Sequence, residues 1–223
     1  MIQLVTPIPR QVSIAVSGGI DSMAALDFAC RGGRDIQVLH FDHGTCHGTQ
    51  AREFIQSHCE ARGLRLVVST IRRERGHDES LEEYWRSERL RFFSEHREWG
   101  PIVTAHHLDD AVEWWIMSAL HGEPRLIPSK NFDTGIIRPF LATSKSELVE
   151  WCLRKSVPHI EDPSNSSREY MRNVVRHDII PHALRVNPGL SKVVRKKLLQ
   201  HANNSAKCTS REMEFERCAR GLV

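Results

Sequence analysis

The sequence predicts an α/β fold, a parallel sheet with helices on both faces. Short β-branched runs alternate with longer segments of helical periodicity across the first 160 residues, the first run ends in a glycine turn, and no internal repeat interrupts the pattern. Strands that alternate with helices form parallel sheets through right-handed crossovers, and ligands then bind at the carboxyl ends of the strands. We therefore expect functional residues in the loops that follow the strands.

The first strand and the loop after it predict a phosphate site. Val12–Val16 is largely apolar, and Ser17-Gly18-Gly19-Ile20-Asp21-Ser22 leads directly into an apolar helix. Paired glycines let backbone N–H groups turn inward, and the helix start adds free N–H groups and the positive end of its dipole. Asp21 would repel a phosphate unless Mg²⁺ lay between them, so the loop predicts a magnesium nucleotide. A glycine pair alone would more often be an ordinary tight turn.

The elements that follow keep the same alternation. Gly32-Gly33 stops the first helix, and a capping box at Ser80-x-x-Glu83 opens a long helix that Gly100-Pro101 ends. Further strands are predicted at Ile36–Phe41, Leu66–Ser69, Ile102–Ala105 and Ile136–Ile137, and further helices at about Gln50–Arg62, Ala111–Leu120, Thr143–Lys155 and, with breaks at Pro181 and Pro188-Gly189, Arg168–Gln200. The last twenty residues show no clear periodicity.

A second polar cluster follows the fourth strand. The segment His106-His107-Leu108-Asp109-Asp110-Ala111-Val112-Glu113 places imidazoles and carboxylates where that strand ends. Such groups could bind a metal or transfer protons. The alternative is that one aspartate caps the helix and one histidine fills a polar corner. Since the glycine loop also follows a strand, we expect both clusters to converge on one crevice.

Composition and charge restrict the class of partner. The chain has 223 residues, 40% of them hydrophobic, and its six cysteines form no C-x-x-C pair. Nothing in it resembles a signal peptide or a membrane span, so we expect a globular, cytoplasmic protein with reduced thiols and no membrane partner. Between Arg168 and Arg211, ten Lys and Arg residues face only two acidic ones. A basic end on an acidic body predicts a polyanionic substrate.

Two further patterns favour structural interpretations. The histidines and the cysteine of His40–His47 could bind zinc, but structural zinc sites usually use regularly paired thiolates, so we expect no zinc. Trp114 and Trp115 are expected in the core rather than as a platform for stacked bases.

These motifs together resemble one enzyme family. The glycine loop resembles the PP-loop of the N-type ATP pyrophosphatases, which cleave ATP to AMP and pyrophosphate. The His106–Glu113 cluster resembles the His-His-x-Asp-Asp-x-x-Glu motif of the tRNA(Ile)-lysidine synthetases within that superfamily. Other segments resemble further motifs of this family: Val38–Gly44, Glu83–Phe92, Ile137–Phe140, Asp162–Asn165, and Tyr170–Arg176 with Pro181.

The resemblance implies a PP-loop ATPase fold, similar to the adenine nucleotide alpha hydrolases, and a ligase reaction. ATP with Mg²⁺ would adenylate the ring oxygen of a wobble cytidine in an isoleucine tRNA, releasing pyrophosphate, and free L-lysine would then displace AMP. The implied catalytic residues are Asp21, which also holds Mg²⁺, Arg86, His106 and Asp110. The implied ATP contacts are Ser17, Gly18, Gly19, Ile20, Asp21, Ser22, His40 and Asp42.

The basic end is expected to contact the tRNA. Arg172 and Arg176 lie four residues apart, on one face of a helix, so that both can meet phosphates. The expected tRNA contacts are Arg172, Asn173, Arg176, Arg195, Lys196 and Lys197.

The resemblance divides the chain into a PP-loop ATP-binding catalytic domain (1–160), a basic helical tRNA-contacting extension (161–202) and a tail (203–223), a short form without the family's usual carboxyl-terminal domains. The chain departs from the family at Trp85, Leu90, Trp114 and His121, the last where arginine is usual. Two alternatives stay open: another PP-loop enzyme, such as a tRNA thiolase or an amide-forming synthetase, and a non-catalytic tRNA-binding module. A thiolase should show catalytic cysteines, and the six cysteines lie outside the motifs.

Overall fold

The computed structural model describes residues 1–161 and 171–219, and it places a six-stranded sheet between layers of helices. The strands are β1 (Gln11–Ala15), β2 (Asp35–Asp42), β3 (Arg65–Thr70), β4 (Ile102–Val103), β5 (Lys130–Asn131) and β6 (Ile136–Ile137). The α-helices are α1 (Ile20–Arg31), α2 (Cys46–Arg62), α3 (Leu81–His96), α4 (Leu108–Leu120), α5 (Lys145–Lys155), α6 (Met171–Val174), α7 (Ile180–Val186) and α8 (Leu190–Ala219). Shorter segments are the 3₁₀ helices Arg97–Trp99 and Pro139–Ala142 and the π-helix Val175–Ile179.

β1 lies inside the sheet, in the strand order β3-β2-β1-β4-β6-β5. The pairs β1–β2, β1–β4, β2–β3 and β4–β6 are parallel, and β5 is antiparallel to β6. The predicted parallel sheet is therefore confirmed, with an added antiparallel edge strand that lacked any apolar residue to predict it. Because the chain runs outward from β1 to β3 and then crosses to β4, a crevice opens between β1 and β4 at their carboxyl ends.

Alternate residues of β2 face the two layers of helices. Ile36 and Val38 pack with apolar residues of α1, α2 and α5, whereas Leu39 and Phe41 pack with Phe92 of α3 on the opposite face. This alternation follows from the two-residue period of a strand. It confirms that helices cover both faces of the sheet.

Capping side chains start several helices, and two of these helices begin earlier than predicted. α4 begins at Leu108, three residues before the predicted start, because the Asp110 carboxylate accepts a hydrogen bond of 2.9 Å from the His107 N–H. α2 begins four residues early, capped by the Thr45 hydroxyl. The predicted capping box of Ser80 and Glu83 at the start of α3 is confirmed. The early start of α4 places the second polar cluster at a helix amino terminus.

The carboxyl-terminal region is helical, as predicted, and it packs against α4. Val194 and Leu198 of α8 share an apolar cluster with Leu108 and Val112 of α4. Trp114, expected in the core, is 45% exposed, since it lies about 200° around the helix from Val112. α8 continues beyond the predicted end of the basic helix. Within residues 1–161 and 171–219, no helix combines the length and hydropathy needed to cross a membrane.

Candidate functional site

A cleft of about 540 Å³ opens at the carboxyl ends of β1, β2, β4 and β6. The glycine loop, α3, the start of α4 and α6 all contribute to its walls. Ten of the predicted site residues line it: Ser17, Asp21, Ser22, His40, Arg86, His106, Asp110, Arg172, Asn173 and Arg176. The two polar clusters therefore meet in one crevice, as their positions after strands predicted.

The glycine loop is shaped by Gly18 and by the Ser22 hydroxyl. Gly18 has a φ of +88°, and a Cβ there would lie 3.1 Å from the side chain of Ile160. Ser22 Oγ donates to the Gly19 carbonyl at 2.9 Å and accepts from the Ser17 N–H at 3.2 Å. The first N–H groups of α1 have no acceptor within the helix. They are therefore available to bind an anion.

Asp21 lies between two cationic side chains and keeps one oxygen unpaired. Its Oδ2 lies 3.6 Å from His107 Nε2 and 3.7 Å from Lys145 Nζ. Its Oδ1 is buried without a hydrogen-bond partner. An unpaired carboxylate oxygen beside a phosphate-binding loop suits Mg²⁺, which is usually held by one or two carboxylates together with substrate phosphates. No group of three or more His, Cys, Asp or Glu side chains that could hold a metal occurs among the residues that the structure describes.

The two adjacent histidines have opposite protonation behaviour. Burial alone would lower the pKa of His107, but the surrounding carboxylates raise it to about 10. These carboxylates belong to Asp109, Asp21 and Asp110, each 3.6 Å from a ring nitrogen. For His106, burial lowers the pKa to about 4, and the charges of nearby arginines add to this effect. At neutral pH His107 is therefore charged and His106 is neutral.

The Asp110 and Glu113 carboxylates of α4 are paired with the arginines of the next motif. Arg172 donates to Asp110 Oδ1 and to Glu113 Oε2, both at 2.7 Å. Arg176 donates to Glu113 Oε1 and, at 3.5 Å, to Asp110 Oδ1. The Glu113 side chain is only 1% exposed. Arg172 and Arg176, predicted to meet tRNA phosphates, thus also join the carboxyl-terminal helices to the wall of the cleft.

Three other arginines line the cleft without such carboxylates. Arg86 and Arg89 come from α3, and Arg138 follows β6. Across residues 1–161 and 171–219, none of the three forms an ion pair within 4 Å. The sequence analysis selected Arg86 and missed Arg89 and Arg138, although Arg89 lies one helical turn after Arg86. Lys145 was also missed, and His107 was predicted only as a member of the polar cluster, since nothing in the sequence shows that either would reach Asp21.

The two predicted ATP contacts on β2, His40 and Asp42, lie differently with respect to the cleft. His40 is 2% exposed, and its Nδ1–H donates to the Val16 carbonyl at 2.8 Å, so its Nε2 is left as a free acceptor in a residue that lines the cleft. Burial lowers the pKa of His40 and keeps this ring neutral. Asp42 does not line the cleft but accepts a hydrogen bond from the Gly44 N–H at 2.8 Å.

The basic residues of α8 lie away from the cleft. Arg195 donates to Glu147 Oε2 at 3.0 Å, Lys196 is exposed, and the Lys197 ammonium lies 5.4 Å from the centre of the Trp115 ring. The segment Asp162–Asn165, which carries the motif that best distinguishes the resembled family, falls outside the described residues.

Known proteins resemble this chain over most of its length. The family model described as PP-loop domain matches residues 3–183. The tRNA(Ile)-lysidine synthase of Bacillus licheniformis is 33% identical over 184 residues, which are 74% of this chain and 38% of that protein. The enzymes of the same name from Bacillus subtilis (30% identity, 83% of this chain, 43% of that protein) and Haemophilus ducreyi (26%, 94%, 49%) also match. The chain spans less than half the length of each of these relatives.

Proposed function

The chain belongs to the PP-loop domain family, and on that premise we propose that it is an ATP-dependent ligase that joins free L-lysine to the wobble cytidine of an isoleucine tRNA. One observation carries the proposal: the phosphate loop, Arg86 and the His106–Glu113 cluster share one cleft with the arginines of the carboxyl-terminal helices. Adenylation of an RNA base needs a phosphate cradle, cations for the charge on the α-phosphoryl group, and access for a polyanion.

In the proposed first step, the ring carbonyl oxygen of the cytidine attacks the α-phosphorus of ATP, and pyrophosphate leaves. The N–H groups at the start of α1 hold the phosphates, and Arg86 neutralises charge on the α-phosphoryl oxygens. His106 is neutral and pairs one ring nitrogen with Thr104 at 2.8 Å, which leaves the other for the substrate. Mg²⁺ supplies charge neutralisation when bound with the nucleotide, and Asp21 is the residue that would hold it.

In the proposed second step, the ε-amine of lysine attacks the activated ring carbon, the bond from that carbon to the AMP oxygen breaks, and AMP leaves. Burial favours the neutral form of Asp110, but the charges of His107 and Arg172 hold the pKa of this carboxyl below its usual value. A carboxylate of low pKa is a weak base. Asp110 therefore orients the amine, and the proton that the amine loses passes to water.

The proposed arrangement assigns ATP chemistry to residues 1–160 and tRNA contact to residues 161–202, with 203–223 as a tail. The exposed Lys196 can reach RNA phosphates directly, and Lys197 lies beside it on the same helix. An enzyme of this kind works in the cytoplasm, where tRNA, ATP and free lysine are present.

The thiolase alternative is less favoured, because the described cysteines do not suit nucleophilic chemistry. Cys30, Cys59 and Cys152 are free thiols. Burial raises the pKa of Cys59 and of Cys152 to about 11, so both stay protonated at neutral pH. None of these three cysteines lines the cleft.

The proposal is tested by mass analysis of nucleosides. The chain is incubated with an isoleucine tRNA transcript whose anticodon begins with cytidine, together with ATP, Mg²⁺ and L-lysine. We expect a lysine-sized mass increase on that cytidine and one AMP released per modified tRNA. Salt-sensitive tRNA binding without ATP consumption would instead identify a binding module, and an unmodified cytidine would contradict the ligase assignment.

A further inference from the structure

We propose that a second pocket, formed by α4, α8 and the loop 124–129, binds an unpaired nucleotide of the RNA substrate near the cytidine that reacts. The pocket has a volume of about 500 Å³, against about 540 Å³ for the cleft, and the two share no lining residue in the described part of the chain. The inference rests on the proposed function for its RNA ligand, and it goes beyond that function by assigning a separate nucleotide site.

The loop that closes this pocket is held by hydrogen bonds to two other elements. The Ser118 hydroxyl of α4 accepts a hydrogen bond of 2.8 Å from the Arg125 N–H. After β6, the Arg138 N–H donates to the Ser129 carbonyl at 2.8 Å, and Arg138 Nη1 donates to the Pro128 carbonyl at 2.9 Å. The loop is therefore fixed against both α4 and β6. The pocket is preformed, as ligand sites usually are.

The floor of the second pocket is apolar and can receive a planar ring. Leu198 of α8 is buried there, and Leu126 and Ile127 of the loop pack against the same apolar cluster. The sequence analysis favoured the core for Trp115. The structure buries only part of this side chain, which also lines the pocket. Stacking on an aromatic side chain is a common way for proteins to bind unpaired RNA bases.

The rim of the second pocket is cationic. Lys197, Arg125 and His201 line it, and no Asp or Glu does so within residues 1–161 and 171–219. Arg125 pairs with Glu123, but Lys197 forms no ion pair among the side chains that the structure describes. The Lys197 ammonium lies 5.4 Å from the centre of the Trp115 ring. Because this lysine is exposed, it can turn to meet a phosphate and leave the ring to a base.

The second pocket lies close enough to the cleft to take a neighbour of the reacting base. Asp110 lines the cleft and Trp115 lines the pocket, about 8 Å further along the axis of α4. Arg138 lines the cleft, whereas Pro128, to which it donates, lines the pocket. The loop is therefore a wall that both sites share. Two nearby nucleotides of one RNA strand can occupy the two sites together.

The ligand of the second pocket is not ATP, because the two lie on opposite sides of β1. The predicted ATP contact His40 is on β2, whereas Arg138, beside the pocket, follows β6. In the proposed reaction the cytidine lies in an anticodon loop, whose other nucleotides are also unpaired. A base with its phosphate has both the planar ring and the negative charge that the floor and the rim of the pocket fit.

A thermodynamic cycle between one side chain and one base tests the site. The RNA is an anticodon stem-loop, used intact and in a series in which one loop nucleotide at a time is abasic. Its affinity for the full chain is measured by fluorescence anisotropy at fixed salt concentration. In the wild-type chain, loss of one base other than the reacting cytidine should weaken binding about tenfold. Trp115→Leu should bind the intact RNA with this lowered affinity, and loss of the same base should then have no further effect.

Matched variants separate base stacking from a structural effect. Trp114→Leu removes the neighbouring tryptophan, which is 45% exposed and does not line the pocket, and it should leave the affinity unchanged. Trp115→Tyr keeps an aromatic ring and should restore most of the sensitivity to the abasic position. Lys197→Gln should weaken the binding of all these RNAs alike and reduce its dependence on salt, because it removes a charge rather than a stacking surface.

Photocrosslinking tests the site without any variant. 5-Iodouridine is placed at the loop position whose base matters most, and the complex with the wild-type chain is irradiated. We expect the crosslinked peptide to contain Trp115.

The outcomes of these experiments are distinct. Additive effects of Trp115→Leu and every abasic position, or a crosslink confined to peptides of other elements, overturn the nucleotide site. Binding of free AMP or GMP that depends on Trp115, without coupling to any loop base, overturns the RNA assignment in favour of a free nucleotide. Coupling between Trp115 and a loop base in a chain that modifies no cytidine would keep the site and contradict the proposed function. A wild-type chain that binds no stem-loop overturns both.

Discussion

The two sides of the cleft differ in whether their charged side chains form ion pairs. On the side of the glycine loop and α4, Asp21 lies against His107 and Lys145, and Asp110 lies against Arg172. On the side of α3 and β6, the three arginines Arg86, Arg89 and Arg138 line the cleft and form no ion pair within 4 Å among the described residues. The ion-paired side chains therefore hold together the elements that surround the cleft. The arginines without ion pairs are available to bind the anionic groups of ligands.

The largest expected effect is on the rate of AMP formation, and it comes from an arginine that forms no ion pair. Arg86→Ala should lower tRNA-dependent AMP formation by about 10³-fold, since a cation that stabilises charge in the transition state contributes on this scale. The thermal unfolding midpoint should stay unchanged, because Arg86 is exposed and forms no ion pair in residues 1–161 and 171–219. The measurement is the initial rate of AMP release together with a thermal scan. Near-normal turnover would remove Arg86 from the site.

Substitutions on the side of α4, where the charges are paired, should lower the stability of the fold. Glu113→Gln removes one of the two buried carboxylates that pair with Arg172 and Arg176 and should destabilise the fold by about 3 kcal/mol, which lowers the unfolding midpoint by roughly 6–12 °C. Glu123→Gln is the matched control, because Glu123 pairs with Arg125 at the surface, where ion pairs contribute little. Equal midpoints for both variants would show that the paired charges do not hold the walls.

The adjacent histidines predict a stability maximum near neutral pH. Because the pKa of His107 is raised in the folded state from its ordinary 6.5 to about 10, its contribution is complete below pH 6.5 and is lost as the pH rises through 10. Because the pKa of His106 is lowered to about 4, the contribution of this residue is present above pH 6.5 and is lost as the pH falls towards 4.

Denaturant unfolding at a series of pH values measures the loss of stability at alkaline pH and the loss at acidic pH. His107→Gln should remove the alkaline loss of stability, and His106→Gln should reduce the acidic one. A loss of stability at alkaline pH that persists in His107→Gln would contradict the role given to the three carboxylates around this ring.

The smallest effect is expected from substitutions in α8, which should change the affinity for tRNA only a few-fold. Lys196→Ala should weaken tRNA binding a few-fold and reduce the slope of log affinity against log salt by about one, because one phosphate contact is lost. ATP binding should not change, since Lys196 does not line the cleft. Arg195→Ala should lower stability slightly instead, because Arg195 pairs with Glu147. Filter binding over a range of salt concentrations distinguishes the two variants.

The sequence predicted the parts of this molecule that depend on local pattern. The alternation of strands and helices, the glycine loop and the Ser80–Glu83 capping box are local features, and the structure contains them. The convergence of Asp21 and His106 on one cleft was also predictable, because both follow parallel strands.

The parts that sequence reasoning missed depend on distances between elements. Arg172 was selected as a phosphate contact because it shares a helix face with Arg176, but its pairing with Asp110 arises only when the carboxyl-terminal helices pack on α4. Lys145 reaches Asp21 from a different helix. Arg89 and Arg138 line the cleft without an ion pair among the described residues, and this depends on tertiary packing that a sequence does not show.

The central claim, that this cleft joins the α-phosphoryl group of ATP to an RNA base, is tested most directly with ATP labelled at the α-phosphorus. The chain, Mg²⁺ and the tRNA transcript are mixed without lysine, and label on the tRNA is measured after gel separation. We predict label on the tRNA and release of pyrophosphate, followed by transfer of the label to free AMP when lysine is added. A chain that binds both ATP and tRNA but leaves the tRNA unlabelled and releases no pyrophosphate would contradict the claim.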